Sequence, residues 1–379
     1  MYGIGFKMLF GDRLKYYGLV LSVAFATLLI TQQTAIFVGV MERTVNIIDD
    51  AREVGIWVMN PDVDHLDVVR PMPSTALSRV RGVAGVAWAT PLSRVNVVAH
   101  TFDGRIEVGV LVGLDDATFV GAPPRFRLGG PEDLRKPDAV AVDVFGYGRL
   151  WPGEPLRLGH ELEINERRAV VVAITEATAS FATNLMLHTT YDRAAHYAPP
   201  VRNRLSFVAA AAAEGEDTAK VAKRISEQTG LQALSSEDFR WTTIWYFLTK
   251  TGIPVNFGVV VLLGVVVGAA IIGMTFSMFV SDNLRQYGAL KAMGMNDRDL
   301  TGMVLSQVGI VGATGYALGI SAATGFFAWV GPADGNLRGF SLPGWVAGNS
   351  ALIILAIMLV ATGGSLARVR RLDPAIVFR

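Results

Sequence analysis

Four stretches of the chain carry no charged residue: Tyr17–Met41, Thr251–Ser281, Thr301–Ala333 and Phe340–Ala367. Each exceeds the ~20 apolar residues that a helix needs to cross the hydrocarbon core of a bilayer. Inside that core every backbone N–H and C=O must be paired within the protein, which uninterrupted helices achieve. The sequence therefore predicts an α-helical membrane protein. Its four transmembrane helices carry a large extracytoplasmic α+β domain, residues 42–250, inserted between the first and second. Charged residues make up only 18% of the chain, against about 25% in soluble domains, and the deficit is local to these stretches. The first stretch is too long and too polar at its end for a cleaved signal peptide, and is expected to be a retained anchor.

Basic residues near the span ends set the expected orientation. Lys7, Arg13 and Lys15 precede the first span; Arg285, Lys291 and Arg298 lie in the 282–300 loop; Arg368, Arg370, Arg371 and Arg379 follow the last span; the 334–339 loop has only Arg338. Segments 1–16, 282–300 and 368–379 are thus expected on the cytoplasmic side, with 42–250 and 334–339 outside. Trp241, Trp245, Tyr246, Trp329 and Trp345 fit an outer interfacial belt.

Several chemistries are excluded or unsupported. The chain has no cysteine, so disulfides, thiolate catalysis and Cys-based metal sites are absent. The five histidines (His65, His100, His160, His188 and His196) all lie in the insert, and none has an HExxH-like arrangement. No catalytic, cofactor or metal residue stands out. A net charge of +1 gives no reason to expect nucleic acid. No ionisable residue falls inside a span, which argues against an ion-coupled transporter. Glycine recurs there instead. Gly264 with Gly268, and Gly315 with Gly319, have the spacing that lets helices approach closely, either between two copies or within one bundle. Gln32, Gln33, Met41 and Glu42, towards the outer end of span one, are candidate substrate contacts; the plainer reading of Met41-Glu42 is a span end followed by a surface charge.

Within the insert, residues 74–81 read as a helix, and 92–101 and 105–114 as strands around an Asp103-Gly104 turn. Residues 157–163 and 169–175 pair around Asn165-Glu166. A strand at 205–213, a helix at 216–229 closed by Gly230 and a strand at 231–234 form a β-α-β unit of ferredoxin-like type. The segments ERTVNIIDDAREV and SSEDFRWTTIWYFLTK, the second capped by Ser235 with Asp238, are expected to extend spans one and two as a helical stalk.

The 282–300 loop places Leu284, Tyr287, Leu290 and Met293 at intervals of three, with Arg285 and Lys291 elsewhere on the helix. Gly294 suits a helix stop, and Asn296 with Asp297 and Asp299 suits the start of the next helix. By itself this describes an amphipathic linker at the membrane surface.

The segment QYGALKAMGM resembles the "REIGVLKALGAS" loop of FtsX/MacB-type ABC transporter permeases, with Gln286 where that family has Glu. The closing RLDPAIVFR resembles the family's "DPxxxLR" ending, and GFKMLFGDRLKYYGLVLSVAFATLLI its amphipathic approach to span one. VRGVAGVAWATPL and VGVLVGLDDATFVG resemble its "GV" and "GVD" segments, and the nearest subgroup is the DevC-like permeases without their own ATPase domain. The resemblance implies that Leu284, Arg285, Tyr287, Leu290, Lys291, Met293, Gly294 and Arg298 couple the chain to a separate cytoplasmic ABC ATPase. ATP and Mg2+ then belong to that partner, since this chain has no GxxxxGK[ST] loop. It also implies a homodimer of permeases in a bacterial inner membrane, a HlyD-like periplasmic adaptor and an outer-membrane duct. Regulation of a cell-wall hydrolase and lipoprotein release are the alternatives within the family.

Overall fold

The computed structural model describes residues 2–198, 204–331 and 340–370. The expected 334–339 loop with Arg338, and the tail with Arg371, Asp373, Pro374 and Arg379, lie outside them. The chain divides into two compact units, one formed by 1–39 with 253–379 and the other by 40–252.

The chain opens with α1 (Tyr2–Gly11) and α2 (Arg13–Arg43). A turn at Thr44 and Val45 ends α2, and α3 (Asn46–Asp50) starts separately. Of the segment ERTVNIIDDAREV, only Glu42 and Arg43 therefore continue the helix of the first span.

The inserted unit is built around a twisted sheet. Its first strand, β1 (Ile56–Met59), is buried at all four positions. After the short β2 (Met72–Pro73) and α4 (Thr75–Arg81) comes the long β3 (Val86–Thr101), which forms a hairpin with β4 (Ile106–Leu114) across Asp103-Gly104. Gly104 has φ +89°, as a tight turn requires. Next are β5 (Phe126–Leu128), β6 (Ala139–Asp143), α5 (Val144–Leu150), β7 (Glu161–Ile164), β8 (Arg167–Thr175), β9 (Leu185–Thr190) and α6 (Tyr191–Tyr197). β7 and β8 are joined by Asn165 and Glu166, both at positive φ, the geometry of a two-residue type I′ hairpin. The unit closes with β10 (Arg204–Leu205), β11 (Phe207–Ala212), α7 (Thr218–Thr229), β12 (Gln232–Ser235) and α8 (Ser236–Lys250).

The main strand order is β12-β1-β11-β3-β4-β9-β6-β8-β5. At one end β12, β1, β11 and β3 are mutually antiparallel neighbours. With α4 and α7 as the connecting helices this is a ferredoxin-like β-α-β-β-α-β unit, and the elements from β4 to β10 are an insertion within it. Alternation along β1 divides its side chains between two faces. Ile56 and Val58 pack with Val80, Val221 and Ile225, while Trp57 and Met59 pack with Phe207 and Phe239. The sheet is thus covered by α4 and α7 on one face and by α8 on the other. The caps hold as expected. Gly230 closes α7 at φ +67°, and the Ser235 hydroxyl accepts from the Asp238 N–H at 3.1 Å. At the start of α5 the buried Asp143 carboxylate accepts from the N–H groups of Phe145, Gly146 and Met186 at 2.8–3.1 Å, so its burial leaves no charge unsolvated.

α8 also stops short of the next span. Thr251 is extended at φ −116°, ψ 161°. The cause is legible in Pro254: in a continuous helix its ring would clash with the carbonyl of residue 250. The stalk expected as continuous rods is therefore broken on both strands of the connection. α9 (Ile253–Asp282) follows, then α10 (Leu284–Ala292), α11 (Asp297–Val330) and α12 (Gly344–Arg370). α2, α9, α11 and residues 344–367 of α12 are the helices long and apolar enough to span a membrane. The fold class is as expected: four spans, with an α+β domain between the first and second.

Candidate functional site

The spans pack through small residues. A methyl group at Gly264 would lie 3.8 Å from Leu29 Cβ, and one at Gly268 would lie 2.8 Å from Ala26 Cβ. At Gly315 it would meet Val23 Cβ at 2.6 Å, and at Gly319 the Ala24 carbonyl oxygen at 2.5 Å. Both glycine pairs are thus used within one chain, on different sides of α2. On the far side, Gly273 of α9 faces Ala361 and Gly312 of α11 faces Met358, both on α12. The four spans close a ring in the order α2, α9, α12, α11.

The intrachain assignment has a direct test, because the chain has no native cysteine. The 3.8 Å separation at Gly264 and Leu29 matches the usual Cβ–Cβ distance of a disulfide, about 3.8 Å. The double variant Leu29→Cys, Gly264→Cys should oxidise to an internally bridged monomer on non-reducing gels. A covalent dimer as the main product would place this contact between copies.

α10 and the residues after it form the link between α9 and α11. Gly294, at φ +94°, ends α10. The Gly294 N–H donates to the Lys291 carbonyl and the Met295 N–H to the Leu290 carbonyl, at 3.0 and 3.1 Å. This is a Schellman stop, and only glycine takes the left-handed backbone without penalty. Asn296 holds the N-cap position of α11 with extended backbone but makes no side-chain capping bond, while Asp297 and Asp299 sit in the first turn.

Burial divides the eight residues expected to couple to an ATPase in an order that their spacing did not show. Tyr287 is fully buried and Leu290 nearly so, and Leu284 is partly buried against the same core. These three belong to the interior of their own bundle, together with Phe279, Leu300 and Met303. Lys291 forms an ion pair with Asp297 at 3.0 Å, which ties the end of α10 to the start of α11. The outward face consists of Arg285, Met293, Gly294 and Arg298. Met293 is 74% exposed.

A buried polar relay fixes the loop from inside. The Tyr287 hydroxyl donates to Gln307 Oε1 at 3.0 Å, and Gln307 Nε2 donates to the Gly5 carbonyl of α1 at 2.8 Å. Burial pushes the Tyr287 hydroxyl up to about 12, against the pull of the Gln307 bond, so it remains a donor at neutral pH. Gly5 admits α1 close to α11, since a methyl group there would meet Met303 Cγ at 2.6 Å. Gln307 and Gly5 were not among the residues expected to matter. Gln307 is one uncharged amide in an apolar run, and its two partners lie 20 and 302 residues away.

Gln32 and Gln33 are half-buried on α2, Met41 is buried and Glu42 is exposed. Among the described residues no group of three or more His, Asp or Glu side chains could hold a metal ion.

Residues 258–374 match the family model for the FtsX-like permease C-terminal domain. Two solved structures are similar to about half of the chain. One is the extracellular domain of the noncanonic ABC-type transporter YknZ from Gram-positive bacteria, at 12% identity and TM-score 0.35, covering 48% of this chain and 98% of that one. The other is the periplasmic region of MacB from Actinobacillus actinomycetemcomitans, at 12% identity and TM-score 0.37, covering 52% and 96%. No curated protein matches. With four helices long and apolar enough to span a membrane, this chain is a multi-pass membrane protein whose residues 258–374 are similar to the FtsX-like permease C-terminal domain.

Proposed function

We propose that the chain is the permease subunit of an ABC-type exporter. In this reading it receives ATP-driven motion from a separate ATPase at the 282–300 loop and passes it to the inserted α+β domain, which expels substrate outside the membrane. The observation that carries the proposal is the loop itself, within the segment that matches the permease family. An exposed methionine, lying between Arg285 and Arg298 in the sequence, caps the end of a short helix that is pinned into the bundle by Tyr287 and Leu290. A partner that pushes on Met293 therefore pushes on α9 and α11, and through Gln307 on α1. The basic residues Lys7, Arg13, Lys15, Arg285, Lys291 and Arg298 favour a cytoplasmic position for this end, with the α+β domain across the inner membrane. Two permeases, two ATPases, a HlyD-like periplasmic adaptor and an outer-membrane duct complete the proposed assembly. ATP and Mg2+ are bound by the partner.

The burial pattern dictates the variant for testing. Leu290→Asp would bury a carboxylate and damage the fold, so it does not isolate docking. Met293→Asp with Arg298→Glu changes only exposed positions. Tagged wild-type chain should capture a Walker-type ATPase from native membranes in mild detergent. The double variant should capture at least tenfold less while keeping its thermal midpoint within ~2 °C, since surface changes cost little. Undiminished capture would remove the docking face. An adaptor in the eluate supports export, whereas a cell-wall hydrolase or an acylated lipoprotein in its place would redirect the reading to regulation or to lipoprotein release.

A further inference from the structure

One end of the sheet gathers charge beside α6. β6 runs parallel to β8 and antiparallel to β9, so the starts of β6 and β8 and the end of β9 lie together. α6 follows β9 directly. A cavity of about 550 Å³ opens there, and Asp138, Arg167, Arg168, Asp192 and Arg193 border it. Alternation along β8 puts Arg167 on the face of Ala169, whose core also takes in Ala194 and Tyr197 of α6. Arg167 and α6 therefore share one side of the sheet.

The charges are not equally engaged. Arg168 pairs with Asp138 at 3.1 Å and with Glu161 at 2.5 Å, so two carboxylates already neutralise it. Arg193 is half-buried and spends Nη1 on the Leu134 and Ala139 carbonyls at 2.7 and 3.2 Å and, more weakly, on the Thr189 hydroxyl at 3.4 Å. Those contacts fix the guanidinium but leave its charge uncancelled. Among the described residues neither Arg193 nor the exposed Arg167 forms an ion pair. The Tyr197 hydroxyl, which donates to the Arg168 carbonyl at 2.9 Å, feels all three guanidiniums. Burial, and after it Asp138, push that hydroxyl up to about 12, against the pull of Arg193, Arg167 and Arg168. Asp192 is the remaining carboxylate at the cavity, and it lies close enough to Asp116 to add to the burial that pushes that carboxyl up. Among the described residues, two unpaired guanidiniums thus stand against one unpaired carboxylate.

We infer that this cavity binds a polar organic anion whose carboxylate or phosphate group is held by Arg167 and Arg193. A guanidinium presents its N–H donors in a planar fork that matches either oxyanion. Arg193 is half-buried without a counter-ion, and an incoming anion supplies one, because a charge withdrawn from water is costly unless paired. The volume falls within the range of small-molecule sites, roughly 300–1,000 Å³, and exceeds what a bare oxyanion fills. Thr190 and His196 add further polar groups to the lining, which suit a hydroxyl-bearing body. The site lies within the α+β unit and stands independently of the permease reading.

The test uses the full chain in phosphatidylcholine nanodiscs at neutral pH and three probes that share a hexose body: glucose 6-phosphate, glucuronate and glucose. Saturation-transfer NMR titration against empty nanodiscs reports binding. At least one of the two anions should bind about tenfold or more tightly than glucose, and the tighter one identifies the oxyanion. Arg167→Gln removes one exposed charge, so it should keep the fold and weaken the anion about fivefold or more. Asp192→Asn should tighten it. Arg105→Gln, which removes an exposed charge from the β3–β4 turn, should leave it unchanged. Neither anion exceeding glucose, binding unchanged by Arg167→Gln, or an equal loss in Arg105→Gln, the mark of general charge attraction, would each overturn the assignment.

Discussion

Trp57→Ala should cost the α+β domain about 3–5 kcal/mol, the usual range for truncating a buried aromatic residue. The indole is fully buried in the middle of β1. It stands edge-on to Phe207 and tilted against Phe239, both at 5.8 Å between ring centroids. Its Nε1–H donates to the Ser236 hydroxyl at 3.1 Å, and Ser236 donates in turn to the Val54 carbonyl. Alanine leaves a cavity between the sheet and α8 and takes the Nε1–H donor away from the Ser236 hydroxyl. Ser236→Ala keeps the ring but orphans Nε1, so it should cost less, about 1–3 kcal/mol. Urea unfolding followed by near-UV circular dichroism separates the two. Equal losses would mean that the hydrogen bond, and not packing, dominates at this position.

Gly319→Leu should destabilise the membrane bundle by about 3 kcal/mol, at the upper end of the overpacking range. The added Cβ would lie 2.5 Å from the Ala24 carbonyl oxygen and 2.6 Å from Thr27 Cβ. The first neighbour is backbone and cannot rotate away, so α2 and α11 must separate. Helix association inside a bilayer has no hydrophobic driving force and depends on close packing, which makes separation costly. Gly325 lies on the same helix with no atom within 4 Å of its added Cβ. Gly325→Leu should therefore be neutral or mildly stabilising, because leucine is the better helix former by about 0.8 kcal/mol. Thermal aggregation of the purified chain in detergent provides the comparison. Similar midpoints for the two leucine variants would show that α2 and α11 do not meet at Gly319.

The spans were legible because charge is excluded from them over lengths that only a helix across a bilayer explains. The hairpin turns at Asp103-Gly104 and Asn165-Glu166 and the helix ends at Gly230 and Gly294 were legible because each depends on backbone conformations that few residues adopt. Strands buried on both faces were not. β1, β6 and β9 are buried along their whole length, so no alternation marks them. The break before α9 was present in Pro254, though the apolar run around it suggested continuity.

The 282–300 loop shows the same division. Its helix, its glycine stop and the following N-cap position are local properties, set by backbone preferences within about a dozen residues, and the sequence alone determined them. Which side of that helix faces a partner is a different matter. Leu284, Tyr287, Leu290 and Met293 share a spacing, but the first three turn into the bundle and Met293 turns out. The glycine pairs likewise announced close helix packing without naming the partner helix. Burial and partner choice depend on residues brought together from distant parts of the chain, as when Gln307 joins Tyr287 to Gly5. Only the tertiary structure decided these, because a side chain's partner is set by where neighbouring helices lie, and that is a property of the assembled bundle and not of any local segment.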